Sequence, residues 1–317
     1  HNLALDLNEI GHHVEVIDNL QVNNMLSVLD NTDELPNPDL SLKILQSRQK
    51  ILKEKNIKLS TIDARNYHAL TECLKKIEPN VVIHLAAVSH SNRSNKNPHN
   101  TFDNSLRTLE NSLDFSRNNV EQFIFLSSSM VYGNFNGKEV DESFNCDPIG
   151  IYGALKFAAE KIILAYKQAY DFPCTIIRPS ALYGERCISR RVGQIFIENA
   201  IMNKEIVING DGEEKLDFTY IKDLTQGIIK CLGNNKAIGE VFNITYGNGR
   251  KINTLLEILK EEFKDVKVKY IEREKLTPVR GTLSIEKAKS LLNYNPEWSL
   301  EDGYKEYIKW YKNFNNN

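Results

Sequence analysis

Apolar residues recur with two different periods in the first half of the chain, and the two periods alternate. In L-A-L-D-L-N-E-I, Leu3, Leu7 and Ile10 share one helical face, and Gly11 follows as a C-cap. The β-branched run H-V-E-V-I-D comes next and closes on Asp18. Residues 20–56 are polar; Pro36 and Pro38 mark a loop there, and the helical pattern K-I-L-Q-S-R-Q-K-I-L-K-E follows them. A short strand, I-K-L-S-T-I-D, ends at Asp63 and leads to another helix. N-V-V-I-H-L-A-A at 80–87 is continuously apolar, as suits a strand buried on both faces. A helix near 101–118, the strand Q-F-I-F-L-S-S-S, a helix from Ile151 to Tyr170 and the strand C-T-I-I-R-P complete the series.

Strand, helix and strand at this spacing form the βαβ pattern of a parallel, doubly wound sheet. Right-handed crossovers place the carboxyl ends of such strands on one edge, where open α/β sheets bind ligands. Asp18, Asp63, Ala86, Ala87 and Ser127–Ser129 all fall on that edge. After Pro179 the pattern changes to mixed strands, helices and the turns N-G-D-G (209–212) and Y-G-N-G (246–249). The expected fold is α/β: a Rossmann-like domain over 1–178, to which part of 218–250 returns, and a smaller C-terminal α/β substrate domain over 179–317. In the tail helix from Leu300, Tyr304, Tyr307, Ile308 and Tyr311 recur at helical spacing, a stripe that reads as core rather than as a cofactor box.

Composition removes several function classes. With 317 residues and 41% hydrophobic content the chain can bury a large core in one or two domains. A formal charge of -2 offers no electrostatic case for nucleic acid or an anionic membrane. No apolar run approaches the roughly 18 residues of a membrane span. The five cysteines are scattered without a C-x-x-C pair, so no metal is expected and a reducing cytoplasm is the expected compartment. The chain starts at His1, within a helix, with no signal-peptide pattern before it.

Tyr152 and Lys156 lie four residues apart on an expected helix, so their side chains share a face. A phenol is a poor base at neutral pH, but a neighbouring ammonium favours the phenolate, which can take a proton from an alcohol. That spacing alone is common. Here it opens a helix about twenty residues after S-S-S-M-V-Y-G, at the end of a buried strand, where a serine hydroxyl can bond to the same substrate oxygen. In the bland alternative the serines cap a turn and Tyr152 packs in the core; the two motifs in register favour chemistry. Asp18 ends a strand where a carboxylate can accept hydrogen bonds from the adenosine ribose. It would repel a 2′-phosphate, and 19–24 contain no Arg or Lys, so NAD is expected rather than NADP.

Together these segments resemble the extended short-chain dehydrogenase/reductases, specifically the NAD-dependent nucleotide-sugar epimerase/dehydratase group. The resemblance rests on I-D-N-L (Asp18), I-H-L-A-A (83–87), S-S-S-M-V-Y-G (127–133), Y-G-A-L-K (152–156), R-P-S-A-L-Y-G (178–184) and L-D-F-T-Y-I-K-D (216–223) in this order. It implies a catalytic set of Ser128, Tyr152 and Lys156, with Lys156 also on the nicotinamide ribose. It implies Asp18 and Asn19 at the adenosine ribose, and Asp63 and Ala64 near the adenine. Leu85, Ala86, Ala87, Asn104, Ser127 and Pro179 complete the implied cofactor set; Asn104 and Thr108 resemble an N-x-x-G-T segment in which Arg107 replaces glycine. The helices at 101–118 and 151–170 resemble the pair that forms a four-helix dimer interface, so a homodimer is implied.

Departures from the family pattern sharpen the expectation. The family begins with a strand and a glycine-rich turn that cradles the pyrophosphate; this sequence starts just after the place where that turn would end, and the expectation is that the natural protein carries it. Family dehydratases have an acidic pair after the catalytic residue, where this chain has Ser129 and Met130. Ala181 and Leu216 stand where an asparagine and an arginine near the diphosphate are common, leaving Arg186, Arg190, Arg191 and Arg280 as candidate phosphate ligands. His90 and Arg93 follow H-L-A-A and are expected to face the sugar, with Ser128, Ser129, Met130, Ala181, Arg191 and Arg280. Cys187 in E-R-C-I-S-R-R is a weaker acid/base candidate. The expected activity is epimerisation at the sugar 4-hydroxyl through a transient 4-keto sugar, acting on a nucleotide-diphosphate sugar. A dehydratase, decarboxylase or reductase of the same family is the alternative enzyme, and a non-catalytic NAD-binding regulator the alternative of another class.

Overall fold

Asparagines start the early helices. The structure, a computed structural model, describes residues 1–30, 36–88 and 91–316, without the side chains of 91–93 and 316. Helix α1 (Asn2–Glu9) feeds strand β1 (Glu15–Ile17). Asn24 caps α2 (Met25–Leu29), and Asn37 caps α3 (Pro38–Glu54), where its side chain accepts from the Leu40 amide at 3.0 Å. The sequence pattern placed the start of α3 after Pro38 and read the prolines as loop. Instead Pro38 occupies the first helical position, where its missing N–H costs nothing, and Asp39 complements the positive helix end. Next come β2 (Lys58–Ser60), α4 (Tyr67–Ile77, capped by Asn66), β3 (Val81–His84), α5 (Ser91–Lys96) and α6 (Pro98–Phe102, capped by Asn97).

The helix expected near 101–118 is interrupted. A π segment, Asp103–Arg107, joins α6 to α7 (Thr108–Ser116). Strand β4 (Gln122–Leu126), α8 (Gly150–Tyr170) and β5 (Cys174–Arg178) follow. The C-terminal half contains β6 (Leu182–Tyr183), α9 (Val192–Ile201), β7 (Ile206–Asn209), β8 (Lys215–Asp217), β9 (Thr219–Tyr220), α10 (Ile221–Cys231), β10 (Val241–Asn243), β11 (Gly249–Lys251), α11 (Ile252–Glu262), β12 (Val268–Ile271), α12 (Glu286–Leu292) and α13 (Leu300–Asn316).

Four parallel strands make the central sheet, in the order β10-β5-β4-β3, so Val241–Asn243 returns to pair with β5. Strands β1 and β2 pair in parallel as a separate group. The two groups share a core rather than a ladder: Ile17 of β1 packs on Leu70 and Leu74 of α4 and on Phe115 of α7. Every residue of β4 and β5 is buried. On one face Ile124, Leu126 and Ile177 meet α10 and α12; on the other Phe123, Phe125 and Ile176 meet α7 and α8. Helices on both faces explain why these strands read as continuous apolar runs.

The remaining strands pair as β6 with β9, β7 with β12 and β8 with β11. Their core holds the aromatic stripe of α13, with Tyr304, Tyr307, Ile308 and Tyr311 all 0% exposed, as the spacing predicted. Leu40, Ile44 and Leu45 of α3 are buried in this same core.

Candidate active site

The carboxyl end of β4 runs directly into the serine motif. The ladder with β5 continues past the strand, with Ser127 N donating to Ile177 O at 2.7 Å and Ser129 N to Pro179 O at 2.9 Å, so the serines are held in register. Ser128 is extended and caps a short 3-10 turn over Ser129–Tyr132, its Oγ accepting from Met130 N at 3.2 Å. That bond uses a lone pair and leaves the hydroxyl proton for another acceptor. Ser128, Tyr152 and Lys156 are 8%, 8% and 7% exposed, so each keeps a sliver of surface at the strand end.

Helix α8 approaches this turn closely because residue 153 is glycine. A Cβ there would lie 2.8 Å from the Met130 carbonyl oxygen. The approach brings Lys156 across the strand end, where its Nζ donates to Leu126 O at 2.6 Å and lies 4.7 Å from the centroid of the Phe125 ring. Burial pushes the Lys156 ammonium down to about 8, and the carboxylate of Glu160 opposes the shift.

His84, the last residue of β3, went unnoticed in the sequence because I-H-L-A-A read as an apolar strand. It is buried and stacked at 23° against Phe123 and Phe125, with Nε2 unpartnered. Burial, and then the charge of Lys156, push its pKa down to about 3. The unfolded chain therefore binds a proton here that the fold refuses, and stability is lost as pH falls from about 6.5 towards about 3. Relative to His84→Leu, the parent is expected to lose urea midpoint progressively over that window.

At the cofactor edge, Asp18 closes a tight turn. Its carboxylate accepts from Leu20 N at 2.6 Å and from Asn24 Nδ2 at 3.2 Å, while Asn19 pairs with Gln21. Asp63 is gripped by Arg65 at 2.6 Å, and that hydrogen bond is the main reason its pKa is lowered. Arg65 also reaches Gln21 Oε1 at 3.0 Å and lies 3.6 Å from Asp103. Ala64 O accepts from Asn111, and Ala86 O accepts from Thr108 Oγ1. Leu85 is 56% exposed and Ala86 is exposed beside the edge, whereas Ala87 is half-buried. Asn104 is buried in the π segment, its side-chain amide donating to Asn100 and its carbonyl accepting from Thr108. A π segment frees backbone from the regular ladder and is common beside functional sites. Ser127 points its hydroxyl away from this edge and into the interior, towards Glu160.

Arg280, half-buried with its side chain 17% exposed, lies within electrostatic reach of Tyr152. Burial lowers its pKa, the charges of Arg191 and Arg273 add to that, and Glu214 and Tyr152 oppose it. Glu214 Oε1 lies 3.9 Å from Arg280 and 4.0 Å from Arg273. Glu214 Oε1, Arg273 Nε and Arg280 Nε are buried without hydrogen-bond partners. Two guanidinium groups flank one carboxylate and the charge of Arg191 reaches Arg280, so the group is net cationic. Sequence reading found Arg191 and Arg280 but missed Arg273, which carries no local signal of its own.

The other candidates are spread more widely. Ser129 and Met130 are buried in the turn, and Ala181 sits at φ +35, packed against the C-terminal core. Leu216, at the position of the family arginine, is core. Arg190 N donates to Gln194, and Arg186 lies over the Trp310 ring while its carbonyl accepts from Arg48. Cys187 packs against the C-terminal core with its sulfur 3.2 Å from Ser189 Oγ. His90 and the Arg93 side chain lie outside the described residues. Among the described residues no His, Cys, Asp and Glu group could hold a metal.

Comparison with known proteins fits this layout. The chain is 31% identical over 284 residues to a UDP-glucuronate 4-epimerase of Thermodesulfobacterium geofontis, covering 86% of this chain and 85% of that one. It is 33% identical over 228 residues to an uncharacterized UDP-glucose epimerase of Bacillus subtilis, covering 70% and 71%. The structure of UDP-glucuronic acid 4-epimerase from Bacillus cereus, in complex with UDP-glucuronic acid and NAD, superposes with a TM-score of 0.84 at 25% identity, over 98% of this chain and 95% of that one. The profile of the NAD dependent epimerase/dehydratase family matches residues 1–245, which span β1 to β5, the serine turn, the Tyr152–Lys156 helix and the returning strand β10, and with that match the chain belongs to the NAD-dependent epimerase/dehydratase family.

Proposed function

We propose that this protein is a UDP-sugar 4-epimerase that inverts the sugar 4-hydroxyl through a transient 4-keto sugar. The observation that carries the reading is that Tyr152 and Lys156 lie one turn apart on α8, with Lys156 held at the strand end by Leu126 O and Arg280 within electrostatic reach of the tyrosine. The pair serves proton transfer and Arg280 a diphosphate. The relatives' names, a UDP-glucuronate 4-epimerase and UDP-glucose epimerases, support uridine and a hexose or hexuronate.

The residues present fit NAD. Leu85 and Ala86 leave an exposed strand end that a flat ring can cover, and Asp18 provides a carboxylate at the ribose position. Arg65, which reaches Gln21 in that turn, is neutralised by Asp63 and Asp103, so it is not left as a cation for a 2′-phosphate. When bound, NAD supplies removal and return of the C4 hydride. Tyr152 takes the 4-hydroxyl proton, Lys156 places an ammonium one turn along the same helix, and Ser128 donates a hydrogen bond to the same oxygen. Arg280 and its neighbours hold the diphosphate while the keto sugar turns its other face, and Tyr152 then returns the proton. Ser129 and Met130 offer no acid for dehydration at the neighbouring carbons, which favours epimerisation over the dehydratase reading.

The test is a panel of UDP-, GDP-, dTDP- and CDP-sugars with the full-length protein, read by proton NMR of the product. Turnover of a UDP-sugar to its 4-epimer supports the reading; bound cofactor with no turnover of any sugar refutes it. Arg280→Ala is expected to raise KM for the UDP-sugar by about 10- to 100-fold, the worth of one charged hydrogen-bonding group. Its NAD content is expected to match the parent.

A second copy of this chain is the proposed partner. Phe102 on α6 and Ile162 and Tyr170 on α8 are exposed apolar residues on the two helices of the expected bundle. No helix among the described residues is long and apolar enough to cross a membrane; the cytoplasm remains the proposed location.

A further inference from the structure

Beneath the catalytic strand end lies a carboxylate that the reaction above does not use. Glu160 is 1% exposed on α8, one helical turn beyond Lys156 and two beyond Tyr152. Arg178, the last residue of β5 and 5% exposed, grips it with both arms, Nε to Oε1 at 3.0 Å and Nη2 to Oε2 at 2.6 Å. Ser127, the first residue past β4, donates its hydroxyl to the same Oε1. One carboxylate therefore ties together α8, the end of β4 and the end of β5. The grip extends further, since the Arg178 guanidinium lies 4.7 Å from the centroid of the Tyr132 ring, within the turn that Ser128 caps.

Stability alone does not explain such a pair. Burying two charges carries a desolvation penalty, and well-packed apolar replacements are often as stable or more so. What apolar residues could not do is fix the direction of Ser127 and place a negative charge one turn from Lys156.

We propose that Glu160 is a positioning residue for the reaction: its bonds to Arg178 and Ser127 fix the serine end of β4 against α8, and its charge supports the ammonium of Lys156. This rests on the reaction assigned above. The groups facing Lys156 are few: Glu160 and Tyr152 from α8, the neutral His84 from β3, and the Phe125 ring and Leu126 carbonyl from β4. Arg178 bonds to Glu160 through both Nε and Nη2. Glu160 is the charged one among the groups that favour the ammonium, with the Leu126 carbonyl and the Phe125 ring, against the burial that drives the proton off.

The test uses the full-length protein, Glu160→Gln and the double variant Glu160→Gln/Arg178→Gln. The double variant removes both charges, so it folds even if an unpaired Arg178 unfolds the single one. Lysine labelled with carbon-13 reports the ionisation of Lys156, assigned by loss of its signal in Lys156→Arg. The titration midpoint of Lys156 is expected to fall by about one pH unit in the variants. The basic limb of the kcat profile is expected to move with it while KM stays within about twofold. A folded variant in which kcat falls and Lys156 titrates as in the parent would make the pair a structural clamp only, and overturn the proposal. The titration needs no turnover, so the two readings fail separately: an inactive parent refutes the reaction, and an unmoved midpoint in an active parent refutes the role of Glu160.

Discussion

Tyr152→Phe is expected to lower kcat by about 10³-fold or more, at the upper part of the range for removing a general acid–base group. The substitution deletes one oxygen and keeps the ring that packs at the strand end, so fold and cofactor content should match the parent. Lys156 keeps its bond to Leu126 O, which does not involve the phenol. KM for the sugar should change little, because the proposed diphosphate ligands are the Arg280 group rather than the phenol. The measurements are initial rates by NMR of the epimeric product, and cofactor released on denaturation. A variant with full activity would remove Tyr152 from the role of base.

The second large effect falls on stability. Asp217 ends β8 and is fully buried, accepting hydrogen bonds from Leu283 N at 3.1 Å, Gly247 N at 3.1 Å and Thr245 Oγ1 at 3.2 Å. It joins β8 to the turn after β10 and to the chain before α12. Asp217→Ala leaves these buried and half-buried donors unpaired, each worth about 1–3 kcal/mol, and part of that loss is recovered by relaxation. A loss of about 3–5 kcal/mol is expected from urea unfolding at neutral pH. Burial also pushes the Asp217 carboxyl up to about 7, although its hydrogen bonds oppose the shift. The fold thus holds a proton here that the unfolded chain releases above its ordinary value of 3.8, so this contribution is full below that value and lost as pH rises through about 7. Its slope is opposite to that of His84 over a shared window. A flat pH profile in the parent would therefore conceal two titrations, and this is why His84 is tested against its own variant.

Much of this was visible in the chain itself, because strand and helix periods report local geometry. The buried runs of β4 and β5, the strand ends at Asp18 and Ser127, and the shared face of Tyr152 and Lys156 all follow from spacing. The stripe of α13 was legible as core for the same reason. What spacing does not encode is the choice of distant partner. Glu160 and Arg178 read as an ordinary helix carboxylate and an ordinary strand-end arginine until packing joins them. Arg273 gains meaning only when a loop folds it against Glu214. The π segment at 103–107 leaves no mark on apolar periodicity, since one extra residue per turn is absorbed within a single repeat. The two prolines before α3 were read as breakers, whereas the second begins the helix; distinguishing these cases depends on the capping bond from Asn37.

The burial of α3 in the C-terminal core bears on how the chain reaches its native state. Leu40, Ile44 and Leu45 have their apolar partners on elements made much later, including Tyr307 and Tyr311 near the end of the chain. During synthesis α3 therefore waits with an uncovered greasy face until α13 has emerged. Its contacts span most of the sequence, the kind of long-range closure that slows folding and exposes a chain to aggregation meanwhile. Helix α13 thus completes a core to which α3 contributes much earlier in the chain, and cooperative folding of that core waits on both.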